Sequence, residues 1–337
     1  MKSFNSSLES SHFPVMLKEV IDICSPHTGG NFVDCTFGGG SYSRELLKFN
    51  NTKVVALDRD IVAEKTAKKI KILYKDRFSF HLQKFSNIDK VLGNKKVDAI
   101  IFDLGVSSFQ LQDMTRGFSF KSHDKLDMSM GLSSLSAEHV INNSNENNLK
   151  MILKIFGDEK EASKIVRNII EARKIKKISK VSELVKIIEK SKKKNYKKKI
   201  NVCTKTFQAL RIFVNKETTE LIEAIIKATK LLKPGGKMII ISFHSIEDKI
   251  VKFYFSNYSQ DKSKPSRYLP EDNKQKLIFF EKYKNSFIKP SEEEILKNPP
   301  SRSAKLRHVV RNNSIFKNSE ELKNKFNRYL ELENYNV

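Results

Sequence analysis

Cysteine is scarce in this chain. The three present, Cys24, Cys35 and Cys203, form no even set and share no metal-ligand spacing, which argues against a disulfide framework and a zinc site; no metal is expected. Long apolar runs are also missing. Stretches such as Met238 to Ile241 are far too short to cross a bilayer, and the first residues lack the apolar segment of a secretory signal. A reduced, cytoplasmic protein without a membrane partner is expected. Acids are short relative to bases: 63 Lys and Arg stand against 39 Asp and Glu, a formal charge of +24. Such an excess predicts an anionic partner, nucleic acid first among them. With 337 residues, 39% of them apolar and 23 of them Phe, the chain has material for one or two domains.

One more absence bears on the ligand. The stretch Asn31-Phe-Val-Asp-Cys-Thr-Phe-Gly-Gly-Gly-Ser-Tyr-Ser43 reads as a buried strand end, a glycine turn and a helix start. A dinucleotide site wants G-x-G-x-x-G, but Gly38-x-Gly40 is followed by Ser43, so the third glycine is gone. In its place an acid precedes the turn, giving Asp34-x-x-x-Gly38-x-Gly40. The next strand, Lys53-Val-Val-Ala-Leu57, ends in Asp58, placed to hold a ribose diol. S-adenosylmethionine (AdoMet) carries an ammonium and a sulfonium and no pyrophosphate. An acid beside the glycine turn attracts those cations where it would repel a pyrophosphate, so AdoMet is favoured over NAD.

Strands and helices alternate up to about residue 108. Phe78-Ser-Phe-His-Leu82 reads as a third strand, followed by Phe85 at the level of an adenine ring. Val97-Asp-Ala-Ile-Ile-Phe102 reads as a fourth, capped by Asp103-Leu-Gly-Val-Ser-Ser108. This is the pattern of an α/β, Rossmann-like, mostly parallel sheet. Crossing order sets the fourth strand beside the first, so Asp103 points into the ligand crevice and is the best candidate for contacting the group being modified. From 109 to 205 no strand pattern follows. Leu149 to Phe156, Lys160 to Ala172 and Val181 to Glu189 have helical spacing, and Lys192-Lys-Lys-Asn-Tyr-Lys-Lys-Lys199 is a dense cationic tract. The expected division is a discontinuous cofactor domain, 1–108 and 206–337, around a helical substrate-recognition insertion, 109–205. The α/β pattern resumes with a long helix from Thr206 to Leu232, a turn at Lys233-Pro-Gly-Gly236 and a fifth strand, Lys237 to Ser242. Residues 259–275 are polar, Leu277 to Glu281 and Leu306 to Val310 read as a terminal antiparallel pair, and a frayed helix is expected from Asn312 on.

The motifs now assembled resemble one family. Asp34 to Ser43, Asp103-Leu-Gly-Val-Ser-Ser108 with Gln110 and Leu111, Arg116-Gly-Phe-Ser-Phe120, Leu126-Asp-Met128, Thr206-Phe-Gln-Ala-Leu-Arg-Ile212, Ser242-Phe-His-Ser245 with Glu247-Asp248, and Ser301-Arg-Ser-Ala-Lys-Leu-Arg307 are similar, in order, to the bacterial MraW/RsmH methyltransferases. The resemblance implies a class I AdoMet-dependent methyltransferase fold with an all-helical insertion. It implies N4-methylation of a cytidine in 16S ribosomal RNA at the decoding centre, with the small ribosomal subunit as partner. It carries cofactor contacts onto Gly40, Ser41, Tyr42, Asp58, Phe85, Asp103 and Gln110. Where the family often has Gly-Gly-His, this chain has Gly40-Ser41-Tyr42. Asp103 is the expected acceptor of an N4–H hydrogen bond, with His244 its rival. Arg116, Arg211, Arg302, Lys305 and Arg307 are candidates for RNA phosphates. A non-catalytic RNA-binding or assembly protein, an NAD oxidoreductase and a DNA amino-methyltransferase are the competing classes. The last wants a Pro-Pro turn after the fourth strand, and this chain has Asp103-Leu-Gly-Val106. A homodimer stays open.

Overall fold

A computed structural model describes residues 14–192, 201–260 and 277–337. Most of the lysine tract, and most of the polar stretch 259–275, lie outside the described residues. The chain divides into two compact units. One takes the chain up to Gly105 together with Leu221–Lys325; the other takes Val106–Glu220 and Phe326–Val337.

The first unit is a six-stranded sheet in the order β3-β2-β1-β4-β5-β6, an α/β fold of the class expected. Its strands are β1 Gly30–Asp34, β2 Thr52–Asp58, β3 Phe78–Leu82, β4 Val97–Asp103, β5 Leu232–Ser242 and β6 Lys305–Val310. The first five are parallel and β6 runs antiparallel to β5. The apolar runs of β1 and β4 read nearly continuously because helices cover both faces, and Phe32, Val33, Ala99, Ile100 and Ile101 are at most 1% exposed. As expected, β4 lies beside β1, in a register that pairs Asp34 with Ile101. Asp34, Asp58 and Asp103 therefore terminate three adjacent strands at one edge.

Two expectations about this unit need correcting. Leu277 to Glu281 is no strand: Phe280 makes only single bridges to Ser259 and Arg311, while β6 pairs with β5 over Lys237↔Val310 to Ser242↔Lys305. The apolar alternation of β6 was legible; its partner was not. The Lys233–Gly236 turn is a bulge inside β5, since Val97 pairs with Leu232 and Ala99 with Lys237.

The second unit is helical: Ala137–Asn143, Glu146–Gly157, Ala162–Ile175, Val181–Ser191, Thr204–Asn215 and the C-terminal Asn327–Glu333. The single long helix expected from Thr206 to Leu232 is two, Thr204–Asn215 and Glu217–Leu231, broken at Lys216 with φ +51°. Buried Asn215 sits at the break. Its side chain accepts from the Met130 N–H at 2.8 Å and donates to the Met128 carbonyl at 2.8 Å. The helix Thr204–Asn215, expected to reopen the cofactor domain, packs on Glu146–Gly157 in the helical unit. Gly157 permits that approach, because a Cβ there would lie 2.5 Å from the Lys205 carbonyl oxygen. The C-terminus is not frayed either. Glu333 is 1% exposed, and its carboxylate accepts from the N–H groups of Thr218 and Thr219 at 2.9 and 2.7 Å.

Candidate functional site

Asp34 is fully buried at the end of β1. Its Oδ2 accepts from the Ser43 hydroxyl at 2.7 Å and its Oδ1 from the Thr36 N–H at 3.3 Å, which fastens the turn to the helix Ser41–Leu47. Burial pushes its carboxyl up to about 6 against those hydrogen bonds. Thr36 in turn accepts from the Asp103 N–H at 2.7 Å, tying the turn to β4. Asp58 holds the tip: its Oδ2 accepts from the Gly38 N–H at 2.7 Å and its Oδ1 from the Asp60 N–H at 2.8 Å. Burial also raises Asp58 to about 6.

These bonds revise the reading of the glycines. The Gly38 N–H is committed to Asp58 and the Gly40 N–H to the Phe37 carbonyl, so neither amide is free for a ligand. Gly40 has φ +72°, and a Cβ on it would lie 2.7 Å from the Phe37 ring and 2.8 Å from Ile70. Its bareness serves packing. Asp34 likewise shapes the turn, its two oxygens taken up with Ser43 and Thr36.

Asp103 differs from both. Its Oδ2 lies 3.2 Å from the Tyr42 hydroxyl, which also reaches the Val15 carbonyl at 2.5 Å. Its Oδ1 is buried and has no hydrogen-bond partner among the described residues. Burial raises its carboxyl to about 8, and the charges of Asp34, Glu247 and Glu294 add to it. Glu247 caps the helix Ser245–Asn257, accepting from the Phe243 N–H at 2.9 Å, and Glu294 accepts from the Met16 N–H at 2.9 Å. Carboxyl groups thus converge on Asp103 at the tip of β4, an environment that attracts a cation and repels a phosphate. Phe85 opens the short turn after β3 and stands edge-on to Phe102 at 5.7 Å, half-buried. Ser41 begins the helix after the turn.

The basic candidates separate sharply. Arg307 is 3% exposed; its Nε meets Asp248 at 2.8 Å and its Nη1 donates to the Tyr283 hydroxyl at 2.7 Å. It is an interior ion pair and cannot reach a phosphate. Lys305 shares Asp248 at 2.8 Å and is partly exposed. Arg302 is exposed. His244 Nε2 lies 3.0 Å from Glu247 Oε1 and its side chain is 8% exposed, which gives it a structural partner. In the helical unit Arg211 is held by both oxygens of Glu217 at 2.8 and 2.9 Å. Arg116 donates to the Ser129 carbonyl at 2.9 Å and lies over Phe118. Gln110 is buried, its Oε1 accepting from the Ser107 N–H at 3.0 Å in a capping box. Arg307 is thus a framework residue, while Arg211 and Arg116 are half-buried and held by partners within the helical unit. What motif spacing hid is that the Arg211 partner opens the next helix and the Arg307 partner lies on a helix 59 positions earlier.

Sequence reasoning missed a different basic surface. On the helix Ala162–Ile175, the face opposite buried Ala162, Ile165, Val166 and Ile169 carries Lys164, Arg167 and Lys174, all exposed and none ion-paired among the described residues. The 3.6-residue period of that helix held the signal. Glu171 lies on the same face.

Residues 9–312 match the MraW methylase family. A protein of Ehrlichia ruminantium (strain Gardel) named ribosomal RNA small subunit methyltransferase H is 41% identical over 305 residues, covering 89% of this chain and 99% of its own length. One of the same name from Rickettsia bellii (strain RML369-C) is 41% identical over 303 residues, covering 89% and 98%. Among solved structures, an rRNA methylase from Streptococcus thermophilus aligns at 13% identity with a TM-score of 0.39, covering 88% of this chain and 95% of its own; a score this low adds nothing to the sequence match.

Proposed function

This chain belongs to the MraW methylase family, and from that premise we propose that it transfers a methyl group from AdoMet to the N4 of one cytidine of 16S ribosomal RNA near the decoding centre. The observation that carries the reading is the convergence of carboxyl groups at the ends of β1, β2 and β4 around an uncommitted Asp103 oxygen. A site of that sign suits a ligand bearing a sulfonium and an ammonium. Asp58 keeps lone pairs for a ribose diol, since each of its oxygens accepts only one backbone N–H. Phe85 flanks an adenine. Ser41, Tyr42 and Gln110 remain contacts implied by the family.

AdoMet supplies an electrophilic methyl on a sulfonium. The remaining work falls to the chain. The N4 lone pair of cytosine is delocalised into its ring, so the amine must be turned in line and drawn toward tetrahedral geometry. Asp103 Oδ1, accepting an N4–H hydrogen bond, does this and opposes the positive charge that grows on nitrogen. Its Oδ2 meanwhile stays against Tyr42. The base must leave its stack to reach the strand ends.

The helical unit serves as the RNA-recognition part of this reading. The unpaired row Lys164, Arg167 and Lys174 supports it, being a cationic face without an internal partner. Asp103→Asn tests the chemistry: AdoMet binding at neutral pH should survive while methyl transfer falls by at least about a hundredfold. Undiminished turnover in that variant would remove Asp103 as the acceptor.

A further inference from the structure

Tyr42 has one hydroxyl proton and two neighbours that each call for it. The Val15 carbonyl oxygen lies at 2.5 Å and Asp103 Oδ2 at 3.2 Å. A carbonyl has no proton to give, and neither has a carboxylate. If the phenol donated to Asp103, its oxygen would stand 2.5 Å from the Val15 oxygen with no hydrogen between them, in a buried place. If it donates to Val15, its lone pairs face Asp103 Oδ2, which is repulsive unless Asp103 itself carries a proton. Only one arrangement satisfies both contacts: Asp103 donates to Tyr42 and Tyr42 donates to Val15. The surroundings agree. The charged groups acting most on Asp103 are Asp34 from β1, Glu247 from the helix Ser245–Asn257 and Glu294 from the helix Glu292–Lys297, all acids, and its Oδ1 has no donor among the described residues.

We propose that Tyr42 is a positioning residue that holds Asp103 as a neutral acid in the ligand-free protein, and that binding of a cationic ligand expels the Asp103 proton and turns the phenol from Val15 to the carboxylate. The inference rests on the AdoMet reading for its second half alone. The step moves one proton from the carboxyl to solvent and rotates one hydroxyl; no bond between heavy atoms changes. Rotation releases the Val15 carbonyl, next to Met16, whose backbone is left-handed with φ +54° and whose N–H is bound to Glu294. Ligand binding is thereby coupled to the segment that leads into the helix Leu17–Cys24.

The sign of one shift decides it. Carboxyl-labelled aspartate is titrated by NMR in the ligand-free protein, with Asp103 identified by the signal missing from Asp103→Asn. Asp103 should be protonated at pH 7. In Tyr42→Phe its midpoint should fall, because the phenol oxygen that stabilised the neutral acid is gone. A midpoint that rises, or an Asp103 ionised throughout, overturns the proposal, since the phenol would then be a donor to the carboxylate. Should Tyr42→Phe not fold, Asp103→Asn answers the same question: its amide mimics the neutral acid and donates to Tyr42. That variant should exceed the parent in urea stability already at pH 7, because the parent keeps protonated in the fold a carboxyl that ionises on unfolding, and the advantage should fade as pH falls to about 4; a deficit at pH 7 overturns the idea. For the second half, calorimetry of AdoMet binding in two buffers of different ionisation enthalpy should show about one proton released at pH 7, and affinity falling about tenfold per pH unit below the midpoint. Asp103→Asn should show neither. No AdoMet affinity in a protein with a protonated Asp103 sinks the cofactor reading and the ligand-driven half together, and leaves the proton assigned.

Discussion

Replacing Gly40 with alanine separates a packing glycine from a ligand-cradling one. The added methyl meets two penalties. Its backbone sits at φ +72°, ψ +24°, the left-handed region, which costs an alanine about 1–2 kcal/mol. The methyl would also stand 2.7 Å from two atoms of the Phe37 ring and 2.8 Å from Ile70 Cδ1, both in the core, and overpacking of that kind costs about 1–3 kcal/mol more. The total is about 2–5 kcal/mol, a large share of the stability of an ordinary domain. Gly235→Ala is the matched control, because Gly235 has φ +77° and nothing within 4 Å of its absent Cβ. Equilibrium urea unfolding of the two variants and the parent measures both costs. Gly40→Ala should be the less stable variant by about 1–3 kcal/mol. Equal losses in the two variants, or a Gly40→Ala protein as stable as the parent that has lost only AdoMet affinity, would refute the packing assignment.

Three further outcomes follow from the same geometry. Asp248→Asn strips the charge partner from buried Arg307 and should cost about 3 kcal/mol in urea unfolding; a loss within error of zero would refute the interior ion pair. Reversing Lys164, Arg167 and Lys174 to glutamate should flatten the log affinity against log salt slope for 16S RNA by about 2 or more, and Glu171→Lys should steepen it; unchanged slopes in both would remove the helix Ala162–Ile175 from the RNA surface. Glu333→Gln loses a charge-assisted cap on the Thr218 and Thr219 N–H groups and should lower the stability of the helical unit by about 1–2 kcal/mol, read by amide exchange at those residues.

The acidic edge of the sheet is readable from the sequence. Asp34, Asp58 and Asp103 each end an apolar run, and an apolar run that stops at an acid marks the tip of a parallel strand. Helices in the insertion were readable from periodicity to within two or three residues at each end, as Val181–Ser191 against the expected Val181 to Glu189 and Ala162–Ile175 against Lys160 to Ala172 illustrate. What lay beyond reach were pairings between residues distant in sequence. The Arg307 partner is on a helix 59 positions earlier, so a cation that looked available is spent inside. The helix break at Lys216 depends on Asn215 bridging to Met128 and Met130, which no local propensity encodes. The role of Tyr42 is of the same kind. It follows from where Val15 and Asp103 fall around one oxygen, and neither spacing hints at it.

The central claim is a methyl transfer, and mapping the product tests it most directly. Small ribosomal subunits lacking the modification are incubated with the protein and AdoMet labelled in its methyl group, and the 16S RNA is digested and mapped by mass spectrometry. Label is expected on the N4 of a single cytidine near the decoding centre, abolished by Asp103→Asn. Label on another base or another RNA, or none at all, would contradict it.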